Sequence, residues 1–371
     1  MTATTTPAAA AAAPPVDRVS TLELFFDLVF VFTVTQLSAR LAGALTVAGV
    51  LQVTVILLII LWMYGGYAWL TNAIGTGRPR HRVLLLAGMC GYLVVALAIP
   101  EAYEGSGLTF GLGYLAIVTV HAALFVTGTS ATVAQAILRL VPFNLVSAGL
   151  VVLGGALGAT WQDVLWTAAL LVWAVPLFQG LGGFEIVPTH FVERHGLVVI
   201  IAIGESIIAI GIGAAGLPVD AELVAVAVLG LLLAAALWWT YFGGDDERAL
   251  EALEAAPPAA RPWMVLNAFG YAHAPLLLGI ICVAVGLKKA TGHAFDQLKD
   301  AEALVFAGGV SIFLLGDVWF RRALRIGGLA RRAGAAALAL ATIPLGVGVA
   351  AVAQLAALVV VAGGAATART R

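Results

Sequence analysis

The sequence predicts an all-α polytopic membrane protein of about 12 transmembrane helices, alternatively 11, arranged as two parallel six-helix repeats. Three observations carry this. Hydrophobic residues make up 62% of the 371 residues and charged residues only 11%, too few charges to cover the surface of a water-soluble domain; mean hydropathy is +1.04. Apolar stretches of about 18 residues or more recur along the whole length. Three short patterns of the first half return in the same order in the second.

Residues 1–17 form an Ala/Thr/Pro-rich tail with no basic segment, expected to be disordered rather than a signal peptide. The first six-helix repeat, 18–182, holds spans at 21–39, 46–70, 83–100, 110–130, 141–158 and 163–181. The second, 183–368, holds spans at 196–214, 220–242, 264–286 and 303–320. The last apolar stretch, 333–367, is long for one crossing and short for two, and Pro344 with Gly346 and Gly348 offers a break in its middle.

Basic residues set the orientation. Arg78, Arg80 and Arg82 follow span 2, and Arg321, Arg322, Arg325, Arg331 and Arg332 follow span 10. Both connections are therefore expected in the cytoplasm, with the N-terminus on the same side of the inner (plasma) membrane. The connection after span 3 carries Glu101 and Glu104 and no basic residue. Arg369 and Arg371 fall inside only if the last stretch crosses twice, which favours twelve spans over eleven.

The internal repeat rests on three matches. Leu61-Trp62-Met63-Tyr64-Gly65-Gly66, read as the end of span 2, pairs with Leu237-Trp238-Trp239-Thr240-Tyr241-Phe242-Gly243-Gly244 at the end of span 8. Arg78-Pro79 pairs with Arg261-Pro262, and Gly91-Tyr92 with Gly270-Tyr271. Each match alone is an ordinary interfacial or loop feature; their common order makes span 1 the counterpart of span 7.

Titratable groups inside apolar segments are the candidate functional residues, because each costs free energy unless paired, hydrated or used. Glu23 and Asp27 lie four residues apart, on one face of span 1. Ser20-Thr21-Leu22-Glu23 also reads as a capping box. Asp27 is one turn deeper, beyond the reach of capping, with Arg18 or Arg194 as its partner. His190, Glu193, Arg194 and His195 crowd the start of span 7, where an interfacial ion cluster is the plain alternative to function. Glu205 lies ten residues past His195, about 15 Å deeper, with Gly204 beside it to admit a neighbouring helix. His121 and His273 are mid-span, each expected to bond a backbone carbonyl; Asp317, one turn before Arg321, is expected to form an ion pair with it. Pro176, Pro275 and Pro344 are candidate kinks.

The runs Glu23-Leu-Phe-Phe-Asp27-Leu-Val-Phe-Val-Phe32 with Thr35-Gln36-Leu37, His190…Glu193-Arg194-His195-Gly196-Leu197 with Gly204-Glu205-Ser206, and Trp239…Tyr241-Phe242 resemble the bacterial low temperature requirement A (LtrA) family over about residues 18–365. That resemblance implies a polytopic membrane protein and, through the family's name, a role in growth at low temperature. Arg18 with Phe26-Asp27-Leu28-Val29-Phe30 is more distantly similar to the Arg…Phe-Ser-Asp-x-Val-Phe motif of endolysosomal and bacterial potassium channels. Phe26 stands for the serine there, the spacing is longer, and the second repeat does not keep the motif.

No phosphate-binding loop, dinucleotide fingerprint, nucleophile elbow or zinc helix is present. Cys90 and Cys282 sit in apolar segments, so neither a disulfide framework nor a metal site is indicated. No cofactor and no nucleic-acid partner are expected; the partners are the lipid bilayer and a proton or monovalent cation. The first reading is a proton- or cation-linked transporter or channel with a polar cavity lined by Glu23, Asp27, Glu205, His121 and His273. The second is a membrane enzyme acting on a lipid or head group through Glu193, Arg194 and His195. The third is a non-catalytic membrane component of low-temperature stress tolerance.

Overall fold

The structure, a computed structural model, describes residues 19–74 and 78–366. The expected tail 1–17, Arg18, and the terminal Arg369 and Arg371 lie outside the described residues. The described residues are helical, in seventeen α-segments without a strand. They run α1 Thr21–Gly43, α2 Val47–Ala73, α3 Pro79–Ala98, α4 Gly107–Gly128, α5 Ala131–Leu138, α6 Val141–Leu157, α7 Ala159–Ala169 and α8 Val175–Gln179. The second half continues with α9 Pro188–Gly213, α10 Ala221–Phe242, α11 Asp245–Ala255, α12 Arg261–Val265, α13 His273–Ala290, α14 Asp300–Leu324, α15 Leu329–Leu340, α16 Ile343–Gly348 and α17 Ala351–Ala366.

Local chemistry sets where several helices start. Ser20 caps α1, and Glu23 returns a carboxylate oxygen to the Ser20 N–H at 2.8 Å. Asp220 accepts from the Leu223 N–H to start α10, and Thr46 from the Gly49 N–H to start α2. Asp220→Ala is expected to cost about 1 kcal/mol, read as a lower thermal midpoint of the solubilised protein. α10 ends where Gly244 takes φ +101, a backbone shape that favours glycine.

Nine helices among the described residues are long and apolar enough to cross a membrane, and α5 with α6, bent by 42°, makes a tenth if counted as one span. Twelve full-length spans are therefore not what these residues form. The last stretch breaks at Thr342 and Val349 into α15, α16 and α17, and the two longer pieces hold 12 and 16 residues. At roughly 1.5 Å per residue neither spans the ~30 Å hydrocarbon core alone. The helices are apolar on the outside as well as inside: Leu51, Leu97, Leu171, Leu231 and Val360 are exposed, as lipid-facing residues are.

The prolines mark interruptions. A 3₁₀ turn, Leu170–Ala174, precedes Pro176, and a π-helical segment, Leu266–Tyr271, precedes Pro275. Pro344 follows the break at Thr342. The run Leu61–Gly66 is not a span end as the sequence suggested. α2 continues to Ala73, so Trp62 and Tyr64 are interior residues holding hydrogen bonds, not an interfacial belt. Trp239–Gly244 does close α10.

The two ends of the bundle differ. The start of α1, the end of α2 and the start of α9 meet through Arg194, Glu23 and Thr71. α11 packs on α9 and α14 at this same end. At the other end Arg40 donates to the Pro100 carbonyl at 2.6 Å and pairs with Glu104 at 3.5 Å.

Candidate functional site

α1 and α9 run parallel and in register. The pairs Glu23–His190, Asp27–Arg194 and Ser38–Glu205 all span 167 residues of sequence. Fifteen residues of constant offset correspond to about 22 Å of shared seam.

One end of this seam is an ion cluster removed from solvent. Arg194 is 0% exposed. Its Nη1 donates to Glu23 Oε1 at 2.8 Å and to Thr71 Oγ1 at 3.1 Å, and its Nη2 to Asp27 Oδ1 at 3.1 Å. His190 Nε2 donates to the same Glu23 oxygen at 2.8 Å, and the Tyr64 hydroxyl to Asp27 Oδ1 at 3.0 Å. The guanidinium lies over the rings of Phe26 and Tyr64, at 5.4 and 5.6 Å from their centroids, adding cation–π attraction. Glu23 thus serves two roles at once, capping α1 with Oε2 and neutralising Arg194 with Oε1. The partner of Asp27 is Arg194, while its Oδ2 has no hydrogen bond.

Eleven residues beyond Arg194, about 16 Å along α9, Glu205 is held differently. Its Oε1 accepts from Ser38 Oγ and its Oε2 from Thr35 Oγ1, each at 2.6 Å, and among the described residues no basic side chain pairs with it. Glu205 is 1% exposed. The hydroxyl of Ser38 also lies 3.0 Å from the Thr35 carbonyl. A buried carboxylate, two hydroxyls and a carbonyl make an all-oxygen cluster of the kind that suits a proton or a hard monovalent cation.

The three neighbours Glu193, Arg194 and His195 point three ways. Glu193 is exposed and accepts from the Val19 N–H at 3.1 Å. His195 donates from Nδ1 to the Phe191 carbonyl at 2.9 Å and sits among Tyr64, Phe269 and His273 rings. They do not form one interfacial cluster, because a helix turns about 100° per residue. His273 bonds the Ala268 carbonyl at 2.8 Å, as expected, and accepts from the Tyr241 hydroxyl at 3.1 Å. His121 also meets backbone, at Gly66, although its buried Nε2 has no hydrogen bond of strict geometry.

Asp317 does not pair with Arg321, its neighbour on α14. Its partner is Arg332 of α15, at 3.0 Å, while Arg321 pairs with Asp245 at the start of α11. Arg248 holds the other Asp245 oxygen at 2.9 Å. This second cluster ties the α10–α11 turn to α14 and α15.

His121 and His195 line a cavity of about 70 Å³ with Asn144 and several aromatic rings; Glu23, Asp27, Glu205 and His273 are not on its wall. Among the described residues no cluster of three or more His, Cys, Asp or Glu side chains is arranged to hold a metal ion. Sequence reasoning missed Tyr64, Thr71, Thr35, Ser38 and Asp245 as site partners. Thr35 lay in a quoted motif, but a lone hydroxyl carries no signal of what it bonds.

Residues 18–367 match the family described as bacterial low temperature requirement A protein (LtrA). The chain is also similar to an uncharacterised protein of Rhizobium meliloti, 30% identical over 323 residues, covering 81% of this chain and 76% of that one. With nearly its whole length matched and its long apolar helices in place, the protein belongs to the bacterial LtrA family of multi-pass membrane proteins.

Proposed function

We propose that the protein is a proton- or cation-linked membrane transporter in which Glu205 takes up and releases the ion. The observation that carries this is the contrast along one seam. Arg194 pairs with both Glu23 and Asp27, whereas Glu205 has two hydroxyls and, among the described residues, no cation of its own. A carboxylate at this depth is costly to keep charged, so it is stable protonated or with a bound ion. Exchange between those forms is the elementary step of coupling. Reconstituted in proteoliposomes, the wild type is expected to dissipate an imposed pH or cation gradient. Glu205→Gln, equal in size, with its amide oxygen accepting from one hydroxyl and its amide nitrogen donating to the other, should lower that flux at least tenfold. Equal flux in the two proteins rejects the proposal.

The same reading takes the chain as two six-segment units, 18–182 and 183–368, in one orientation. Support comes from glycines at equivalent helices. Gly91 of α3 faces Gly113 of α4, and Gly279 of α13 faces Gly309 of α14. α5–α6 then counts as the fifth segment, α7–α8 as the sixth, and α15 and α17 as the eleventh and twelfth, the last two too short to cross alone. We take the arginine-bearing end as cytoplasmic in the inner (plasma) membrane. A fluorescent protein fused to the N-terminus should then fluoresce, and alkaline phosphatase fused after Glu104 should be active.

A further inference from the structure

The cavity beside the α1–α9 seam has its own chemistry. Its wall is aromatic, formed by Trp62, Trp69, Phe125, Trp173, Phe184 and Phe269, and carries no Asp, Glu, Lys or Arg. A charged ligand would lose its hydration there without compensation. The wall is nevertheless not wholly apolar. His195 donates from Nδ1 to the Phe191 carbonyl, which leaves Nε2 as a lone-pair acceptor. Asn144 accepts from Trp62 Nε1 through Oδ1 at 2.8 Å, which leaves its amide N–H groups as donors. Neither His195 Nε2 nor Asn144 Nδ2 bonds another described residue, and neither is sealed from open space as His121 Nε2 is.

Size narrows the occupant further. The cavity holds about 70 Å³, and a water needs roughly 10–15 Å³ of such space. That is room for one ring with a substituent. A larger hollow of about 500 Å³, bounded by Gly180–Phe184 and Pro258–Ala259, adjoins it and shares Pro176, Leu181 and Phe184 with it.

We infer that this cavity binds a small, flat, uncharged molecule of one aromatic ring carrying a hydroxyl or ring N–H, which donates to His195 Nε2 and accepts from Asn144. The rings of Trp62, Trp173 and Phe269 supply stacking and edge contacts. The two polar groups reject an isosteric hydrocarbon, because binding it would leave both unpaired and dry.

Phenol is the probe, titrated calorimetrically into the full chain in detergent micelles, with empty micelles as the blank. Toluene and benzoate are the comparisons. Phenol should bind saturably at one site, toluene at least tenfold more weakly, and benzoate not at all. Gly65→Leu tests the location. Gly65 lines the cavity, a Cβ there meets nothing within 4 Å, and the side chain would fill the space. Leucine is also a better helix former than glycine, so the variant is expected to fold. It should abolish the phenol signal, and His195→Phe should weaken it at least tenfold. Phenol heats unchanged in Gly65→Leu, or phenol and toluene binding alike, overturn the inference. Ion flux is not read in this titration, so its failure leaves the transport proposal standing.

Discussion

Arg194→Met is expected to destabilise the protein by about 3–5 kcal/mol, the usual cost of removing one partner from a buried ion cluster. The change leaves the Glu23 and Asp27 carboxylates in a site that is 2% and 0% exposed, without the guanidinium that joins them. Arg194→Lys should recover little. The guanidinium reaches Glu23 and Thr71 with one nitrogen and Asp27 with the other, and a single ammonium cannot span that fork. Adding Glu23→Gln and Asp27→Asn to Arg194→Met should restore much of the loss, since the uncompensated charges go too. Gln at position 23 still completes a capping box. Thermal unfolding of the solubilised protein, followed by size-exclusion recovery, measures the three variants against the wild type. An Arg194→Met protein that melts with the wild type would show that the cluster is not what joins α1 to α9.

Gly279→Leu is expected to do comparable harm by a steric route. A Cβ at Gly279 would lie 2.6 Å from the Phe313 backbone nitrogen and 2.7 Å from the Gly309 carbonyl oxygen. Backbone cannot rotate away as a side chain can, so α13 and α14 must part. Overpacking typically costs about 1–3 kcal/mol, and here it also separates helices whose contact depends on small residues. Gly308→Leu, one helix residue from Gly309, provides the control, because a Cβ there meets nothing within 4 Å. The expected result is a strongly lowered melting temperature for the first and an unchanged one for the second.

How far the site was legible depends on the range of each interaction. Ser20 and Glu23 are three residues apart, and their capping box could be read directly. Arg194 was one of two arginines offered to Asp27, since a charge that deep needs an opposite charge. Glu205 was legible as a buried acid, but its partners were not. Thr35 and Ser38 look like many other hydroxyl residues in apolar helices. Asp317 was assigned to Arg321 because they share a helix face; the structure instead brings in Arg332 from α15 and gives Arg321 to Asp245. The Trp62–Tyr64 run was placed at the membrane interface because amphipathic rings favour it. The same polar tips serve equally well inside, where Asn144 and Asp27 receive them.

The amino-acid sequence alone determined the membrane class, the family, most span positions and the start of α1, because these follow from composition, local periodicity and contacts within one turn; span 7, expected from 196, begins eight residues earlier at Pro188. The tertiary structure decided which charges meet. Glu23, Asp27 and Ser38 find their partners 167 residues away, a separation at which no local pattern distinguishes one buried polar group from another. It also set His121 on the wall of an aromatic pocket whose lining does not include Glu23, Asp27, Glu205 or His273, while α1 and α9 bond one another's polar groups along their seam.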